Sequence, residues 1–226
     1  MDTKYYPGDK IMKWFFDNTN LTWTGFYLTP APCQSNTSWM NKYDFLKNMG
    51  WGFAPIFVGQ QPPGFNCTSN TLTEAKGMED AQRTTDLTCA AGFPNQSVIY
   101  LDIEPGPSLS DEFMSYIIAW INKMISINRY LPGIYCSYQN ADQIKNNSLA
   151  EIFWVWRLIE LPCSDHSTIT TFPNNSPSDS GVAFAKVWQM KQGCKINRQI
   201  NVDGTIITVN IEIDIDTAVT NNPSNL

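Results

Sequence analysis

Ser97-Val98-Ile99-Tyr100-Leu101-Asp102-Ile103-Glu104-Pro105-Gly106 is an apolar, β-branched run that acquires carboxylates at i and i+2 and stops at Pro-Gly. Side chains alternate faces along a strand, so Asp102 and Glu104 point the same way, with Tyr100 behind them. Two residues of strand rise separate their backbones by roughly 6.5 Å. Like charges at that spacing resist joint ionisation, and one carboxyl tends to keep its proton near neutrality. A neutral acid beside an anion is what glycosidic cleavage requires. The competing reading is a plain strand end meeting solvent, where acids are common.

The pattern on either side of this strand alternates strand with helix. Upstream, Ile11 to Asp17 has helical spacing with Asp9 as N-cap, and Thr22 to Thr29 is strand-like up to Pro30. Ser38 to Met49 is helical, with Ser38 as cap and Gly50 as stop, and Trp51 to Val58 is a buried strand. Gly52 and Gly59 flank that strand and mark close packing and a turn. A long loop then leads to a helix over Thr73 to Ala91. Downstream, Ser110 to Asn128 is the longest amphipathic helix, with Phe113, Ile117, Ile118 and Ile121 at helical spacing. Gly133 to Ser137 is a strand, Gln139 to Lys145 a short helix and Ile152 to Arg157 another strand. A loop rich in Pro, Ser, Thr and Asn runs from Leu161 to Ser180. Val182 to Met190 and Thr205 to Ile215 complete the strands, with Asn201-Val202-Asp203-Gly204 as a hairpin turn.

This alternation predicts an α/β fold with a mostly parallel sheet. The preferred closure is a single (β/α)8 TIM-like barrel over residues 1–226, with a shortened first strand and a C-terminal hairpin. A doubly wound open sheet is the runner-up. There is no internal repeat and no interdomain linker.

Composition narrows the function classes. The chain has 226 residues, of which 42% are hydrophobic and 13% aromatic, enough for one substantial core. A formal charge of −6 with scattered Lys and Arg argues against nucleic acid as a partner. No apolar run reaches the roughly 18 residues of a membrane span, and no secretory signal pattern opens the sequence. Cys33, Cys67, Cys163 and Cys194 fall in loops and could form two bridges, whereas Cys89 and Cys136 lie in helix and strand patterns that favour buried thiols. With sequons at Asn20, Asn36, Asn66, Asn95, Asn146 and Asn174, this leans towards a secreted or cell-surface protein. No CxxC pair occurs and His166 stands alone in a polar loop, so neither a metal nor another cofactor is expected.

Binding groups in parallel α/β folds gather at the carboxyl ends of the strands. Reading those ends in order brings Asp2, Tyr27, Gln60 and Gln61, then Asp102 and Glu104, to one rim. Tyr135 and Tyr138 follow, then Trp156 and Arg157, Trp188 and Gln189, and finally Asp214 and Asp216. Amides and carboxylates bind hydroxyls and flat rings stack on sugar faces, so this set suits a carbohydrate. The last strand, Glu212-Ile213-Asp214-Ile215-Asp216, repeats the alternating acids, although Asp216 could instead cap a helix beginning at Thr217.

Several stretches resemble a known family: Gly25-Phe26-Tyr27-Leu28, Pro55 to Gln61, Gly92-Phe93-Pro94 through Glu104, Pro132 to Tyr138, Trp154 to Arg157, Trp188-Gln189 and Asp214 to Ala218. They resemble the glycoside-hydrolase-like TIM-barrel family long filed as a domain of unknown function. That family is similar in turn to the Chalaropsis-type lysozymes, the family 25 glycoside hydrolases. The resemblance implies that Glu104 donates the proton and Asp102 assists the substrate's acetamido group. Asp2 would be the acid closing the first strand, and Asp214 the acid near the last. The expected activity is hydrolysis of an amino-sugar polymer such as peptidoglycan by a monomer. A non-catalytic glycan-binding module on the same barrel is the first alternative. A divalent-metal phosphodiesterase is the second, weakened by the lack of a second His.

Overall fold

The computed structural model describes residues 1–65, 71–160, 163 and 165–226. The chain begins with α1 (Asp9–Asn18), β1 (Trp23–Tyr27), α2 (Tyr43–Met49) and β2 (Gly52–Phe57). It continues through α3 (Glu74–Ala90), β3 (Val98–Ile103), α4 (Asp111–Ile127), β4 (Leu131–Ser137), α5 (Ala141–Asn147) and β5 (Ile152–Glu160). After a short 3-10 turn at Pro177–Ser180 come β6 (Val187–Val202) and β7 (Thr205–Ala218). The strands form one sheet in chain order, parallel from β1 to β6 and antiparallel between β6 and β7.

The sheet curls into a half-barrel with an apolar layer on each face. Inside the curl, Trp23, Ile56, Tyr100, Trp154 and Val187 pack together, and two positions on from Tyr100 and Val187 the same parity carries Asp102 and Gln189. Outside it, helices cover the sheet. Phe113, Ile117, Trp120, Ile121 and Met124 make the buried stripe of α4, and α3 meets it with small residues, Gly77, Ala81 and Thr88. Caps hold both helices where the sequence places them. Thr73 accepts from the Lys76 amide and Ser110 from the Phe113 amide, a contact that contributes about 1 kcal/mol per helix.

The expected eight-stranded barrel is not what the named strands make. Alternation stops after β5, because among the described residues only a 3-10 turn lies between β5 and β6, and the chain then returns as an antiparallel hairpin. The segment before α1 meets the sheet through two residues only. Met1 O accepts from the Gly25 amide at 2.9 Å, and Asp2 and Asp214 exchange backbone hydrogen bonds at 3.2 and 2.8 Å, so this segment touches both sheet edges. Gly25 permits the approach: a Cβ there would lie 2.5 Å from Asp2 Cβ.

Several local expectations change. Gly8, not Asp9, precedes α1, and the Asp9 carboxylate instead accepts from Tyr6 Oη and Lys42 Nζ. The second helix begins only at Tyr43, since Ser38 Oγ is taken by the Tyr6 amide. Asp216 caps nothing, because β7 runs on to Ala218. Strand β6 continues well past Met190. Its polar Lys191-to-Gly193 stretch, beyond the expected strand end at Met190, is an irregularity in register within the hairpin. Asp203 and Gly204 take positive φ, as a two-residue hairpin turn demands. Cys163 and Cys194 form a disulfide, and Cys33 is also disulfide-bonded, while Cys67 lies outside the described residues. Cys136 is buried as expected, but Cys89 is exposed.

Candidate active site

Strand parity builds the site. Above the apolar floor, where Trp154 meets Trp23 and Tyr100 edge-on at 5.7 and 5.5 Å, the next inward residues are polar. β1 contributes Tyr27, β3 Asp102 and β4 Tyr135. β6 contributes Gln189, and the returning β7 brings Asp214 to the same level. The N-terminal segment adds Asp2. A cleft of about 840 Å3 opens there, and Asp2, Asp102, Glu104 and Asp214 all line it. Thus acids from three segments far apart in sequence share one cavity. Asp2 and Asp102 are buried, Asp214 is half-buried and Glu104 is exposed at the mouth.

Fixed donors orient most of these groups. Tyr27 Oη donates to Asp2 Oδ1 at 3.0 Å. Asp214 accepts from the Gly193 amide at 2.7 Å and from Gln189 Nε2 at 3.0 Å, and Tyr135 Oη donates to Gln189 Oε1 in turn. Gln189 therefore aligns Asp214 and Tyr135 from behind the cleft wall. By contrast, Asp102 Oδ1 is buried without a hydrogen-bond partner among the described residues.

Crowding and burial favour the protonated forms. Removal from water, then the charges of Glu104 and Asp2, raise Asp102 well above the ordinary carboxylate range. Glu104 is raised by the cleft walls that displace water from it and by Asp2, with Lys4 acting in the opposite direction. Burial foremost, then Asp2, pushes Asp214 up to about 8 despite the Gly193 amide. Asp2 is raised by burial too. Such a cluster holds protons near neutrality and can deliver one from its exposed member to a bound ligand.

The other residues singled out from the sequence divide. Tyr27, Gln61 and Tyr135 line the cleft. Gln60 faces away from it, donating to Asp80 on α3. Trp188 is buried and donates to Arg157 O, while Arg157 donates to Ser180 O and lies 4.8 Å over the Tyr138 ring. None of these three, nor Trp156, is a lining residue. Asp216 borders a separate cavity of about 140 Å3, beside Met1 and Trp23.

Further aromatic surface at the cleft comes from residues not singled out in the sequence. Tyr5 and Phe65 line it at 57% and 41% exposure, joined by Lys4 and, from the hairpin, Gln192 and Glu212. Glu212 was reachable by the alternation that marks Asp214, two residues on. Tyr5 and Phe65 lie in irregular segments, where periodicity carries no signal. Among the described residues, the one cluster with the spacing of metal ligands is Cys163, His166 and Cys194, whose two sulfurs are joined to each other.

Comparison with known proteins agrees with this architecture. Residues 16–218 match the family model described as Rv2525c-like, glycoside hydrolase-like domain. Over 79 residues the chain is 29% identical to a Mycobacterium tuberculosis protein named "Putative peptidoglycan hydrolase Rv2525c", a match covering 34% of this chain and 32% of that protein. Among solved structures, the catalytic domain of endolysin ply40 from Listeria monocytogenes bacteriophage P40 aligns with a TM-score of 0.60. Its identity is 12%, covering 97% of this chain and 92% of that one. The Tat-secreted Rv2525c in complex with L-tartrate aligns at 0.57 with 16% identity, covering 94% and 93%. GHIP, a glycosyl hydrolase 25 of Streptococcus pneumoniae, aligns at 0.55 with 10% identity, covering 96% and 85%. At these identities the structural likenesses establish a common fold.

Proposed function

The chain belongs to the Rv2525c-like, glycoside hydrolase-like family, and on that premise we propose that it cleaves glycosidic bonds in an amino-sugar polymer such as peptidoglycan. The observation that carries this reading is the convergence of Asp2, Asp102, Glu104 and Asp214 on one open cleft. In the proposed reaction, Glu104 at the mouth protonates the leaving glycosidic oxygen as the C1–O bond breaks. The oxygen of the substrate's own 2-acetamido group closes on C1, and Asp102 below accepts a hydrogen bond from its N–H. Water then adds at C1 with Glu104, now a carboxylate, as base. Retention follows, and no enzymic nucleophile is needed. Burial in the cleft and the charge of Asp2 keep the proton on Glu104, and Asp214 stores a second proton beside them. Tyr5, Tyr27 and Phe65, not the tryptophans of β5 and β6, supply ring surface for sugars.

The naming of relatives as an endolysin and a glycosyl hydrolase 25 supports a cell-wall glycan as substrate. The disulfides and a Tat-secreted relative support export. We read Met1 and Asp2 as the shortened first strand of a closed barrel. The test is incubation with purified peptidoglycan and mass analysis of released fragments, with Glu104→Gln alongside. Wild type should release fragments with new reducing ends. The variant should be slower by about 10²–10⁴-fold, the range ascribed to a general acid, and still bind glycan. Equal release by both proteins contradicts the assignment of Glu104. Saturable binding by wild type with no new reducing ends favours a binding module instead.

A further inference from the structure

The structure assigns Gln61 and a buried Asp80–Tyr116–Gln60 triad a positioning role: together they hold the β3 backbone that carries Asp102 and Glu104. The inference deepens the reading above, and rests on it for the activity measurements alone.

Pairing between β2 and β3 ends at Phe57 opposite Leu101, one residue before Asp102. Beyond that point the side-facing groups of β3 would lose their ladder. Gln61 replaces it. Its Nε2 donates to Asp102 O at 2.8 Å, and its Oε1 accepts from the Glu104 amide at 3.2 Å. A primary amide has one donor and one acceptor side, so it completes the pairing as a peptide of an extended β2 would. Gln61 is fully buried, and both ends of its amide are committed to backbone.

A side chain clamps only as firmly as its own backbone is held. The neighbouring Gln60 supplies that hold. Its amide donates to Tyr116 Oη at 3.1 Å, and its Nε2 donates to Asp80 Oδ2 at 2.9 Å. Tyr116 Oη itself donates to the same Asp80 oxygen at 2.9 Å, closing a triangle. Gln60 Oε1 accepts from the Thr71 amide, tying down the far end of the β2–α3 loop. Asp80, Tyr116 and Gln60 are all buried, where such bonds are strong and costly to leave unmade.

Two glycines make the triangle possible. A Cβ at Gly59 would lie 2.4 Å from Tyr116 Oη, so the hydroxyl reaches Gln60 only over a glycine. A Cβ at Gly77 would lie 2.4 Å from Tyr116 O, so α3 packs close enough to α4 to bring Asp80 to Tyr116 only with a glycine there. Gly59, Gln60, Gln61, Gly77, Asp80 and Tyr116 thus form one device running from the helix layer to the acids.

The test uses Gln61→Met, Tyr116→Phe, the double variant and Asp80→Asn, each close in shape to the residue it replaces. Against peptidoglycan, Gln61→Met should lower kcat by about 10–100-fold with KM within 3-fold, since displacing a catalytic group by about 1 Å can cost that much. Tyr116→Phe should lower kcat by about 3–10-fold. The double variant should be no slower than Gln61→Met alone, because both lie on one path. Asp80→Asn keeps an acceptor for Tyr116 and Gln60 and should stay within about 3-fold of wild type. Amide hydrogen exchange at Glu104 should accelerate in both Gln61→Met and Tyr116→Phe. A raised KM with unchanged kcat in Gln61→Met would make Gln61 a ligand contact and overturn the assignment. Multiplicative losses in the double variant would overturn the relay, as would unchanged Glu104 exchange in Tyr116→Phe. If wild type cleaves no glycan, the proposed activity fails, yet the exchange rates still decide whether this device holds Glu104.

Discussion

Asp214 shows how much a single side chain can report. Its carboxyl is pushed up to about 8, against an ordinary 3.8, by burial and by Asp2. The folded state therefore holds this proton more tightly than the unfolded chain. The resulting stabilisation is full below about pH 4 and is lost as pH rises through about 8. Wild-type Tm should accordingly fall between pH 5 and 8. In Asp214→Asn the slope should flatten, with a larger relative gain in Tm at pH 8 than at pH 5. Thermal melts across that range check this, and parallel curves for the two proteins would contradict it. At this scale the sequence was informative about the acids: i, i+2 spacing on a strand forces Asp102 and Glu104 to one face. It said less about aromatics. Trp188 was expected at a strand's carboxyl end, but β6 begins at Val187 and runs on to Val202, and Trp188 is buried with its Nε1 committed to Arg157 O. Parity selects a face and leaves open how far the cleft reaches.

Among the elements, the β6–β7 hairpin departs most from what was legible. Asn201 to Gly204 announces a turn, and the observed turn falls there. The strand before it runs from Val187, because the polar Lys191-Gln192-Gly193 stretch is absorbed as an irregularity and does not end the strand. Nothing local distinguishes the two outcomes. The neighbouring Cys194 is tied by a disulfide to Cys163, 31 residues away. Closing a loop of that length restricts the unfolded chain by about 3–4 kcal/mol in the chain-entropy account. Urea unfolding of the Cys163→Ser/Cys194→Ser variant should therefore show stability lowered by about that much, with m raised as the unfolded chain expands. An undiminished midpoint would mean that the bridge does not hold the hairpin. Helices were easier to place, since Thr73 and Ser110 cap as their chemistry dictates. Asp9 and Ser38 did not, because tertiary partners, Lys42 with Tyr6 and the Tyr6 amide, claim their oxygens first.

Across the whole molecule, alternation of strand and helix was enough to predict a parallel sheet wound in chain order. Closure was not. The expected eighth strand is not among the named ones, and Met1–Asp2 touches the sheet edges through contacts with Gly25 and Asp214, distant in sequence. That same junction delivers the fourth acid, so fold and site depend on one another here. Asp2 raises both Glu104 and Asp214, making it the hub of the cluster. Carbon-13 carboxyl NMR on wild type and Asp2→Asn measures this directly. Glu104 in wild type should titrate above the ordinary range for Glu, and removing the Asp2 charge should bring both Glu104 and Asp214 down. Ordinary values in wild type, unmoved by Asp2→Asn, would contradict a shared, proton-holding cleft.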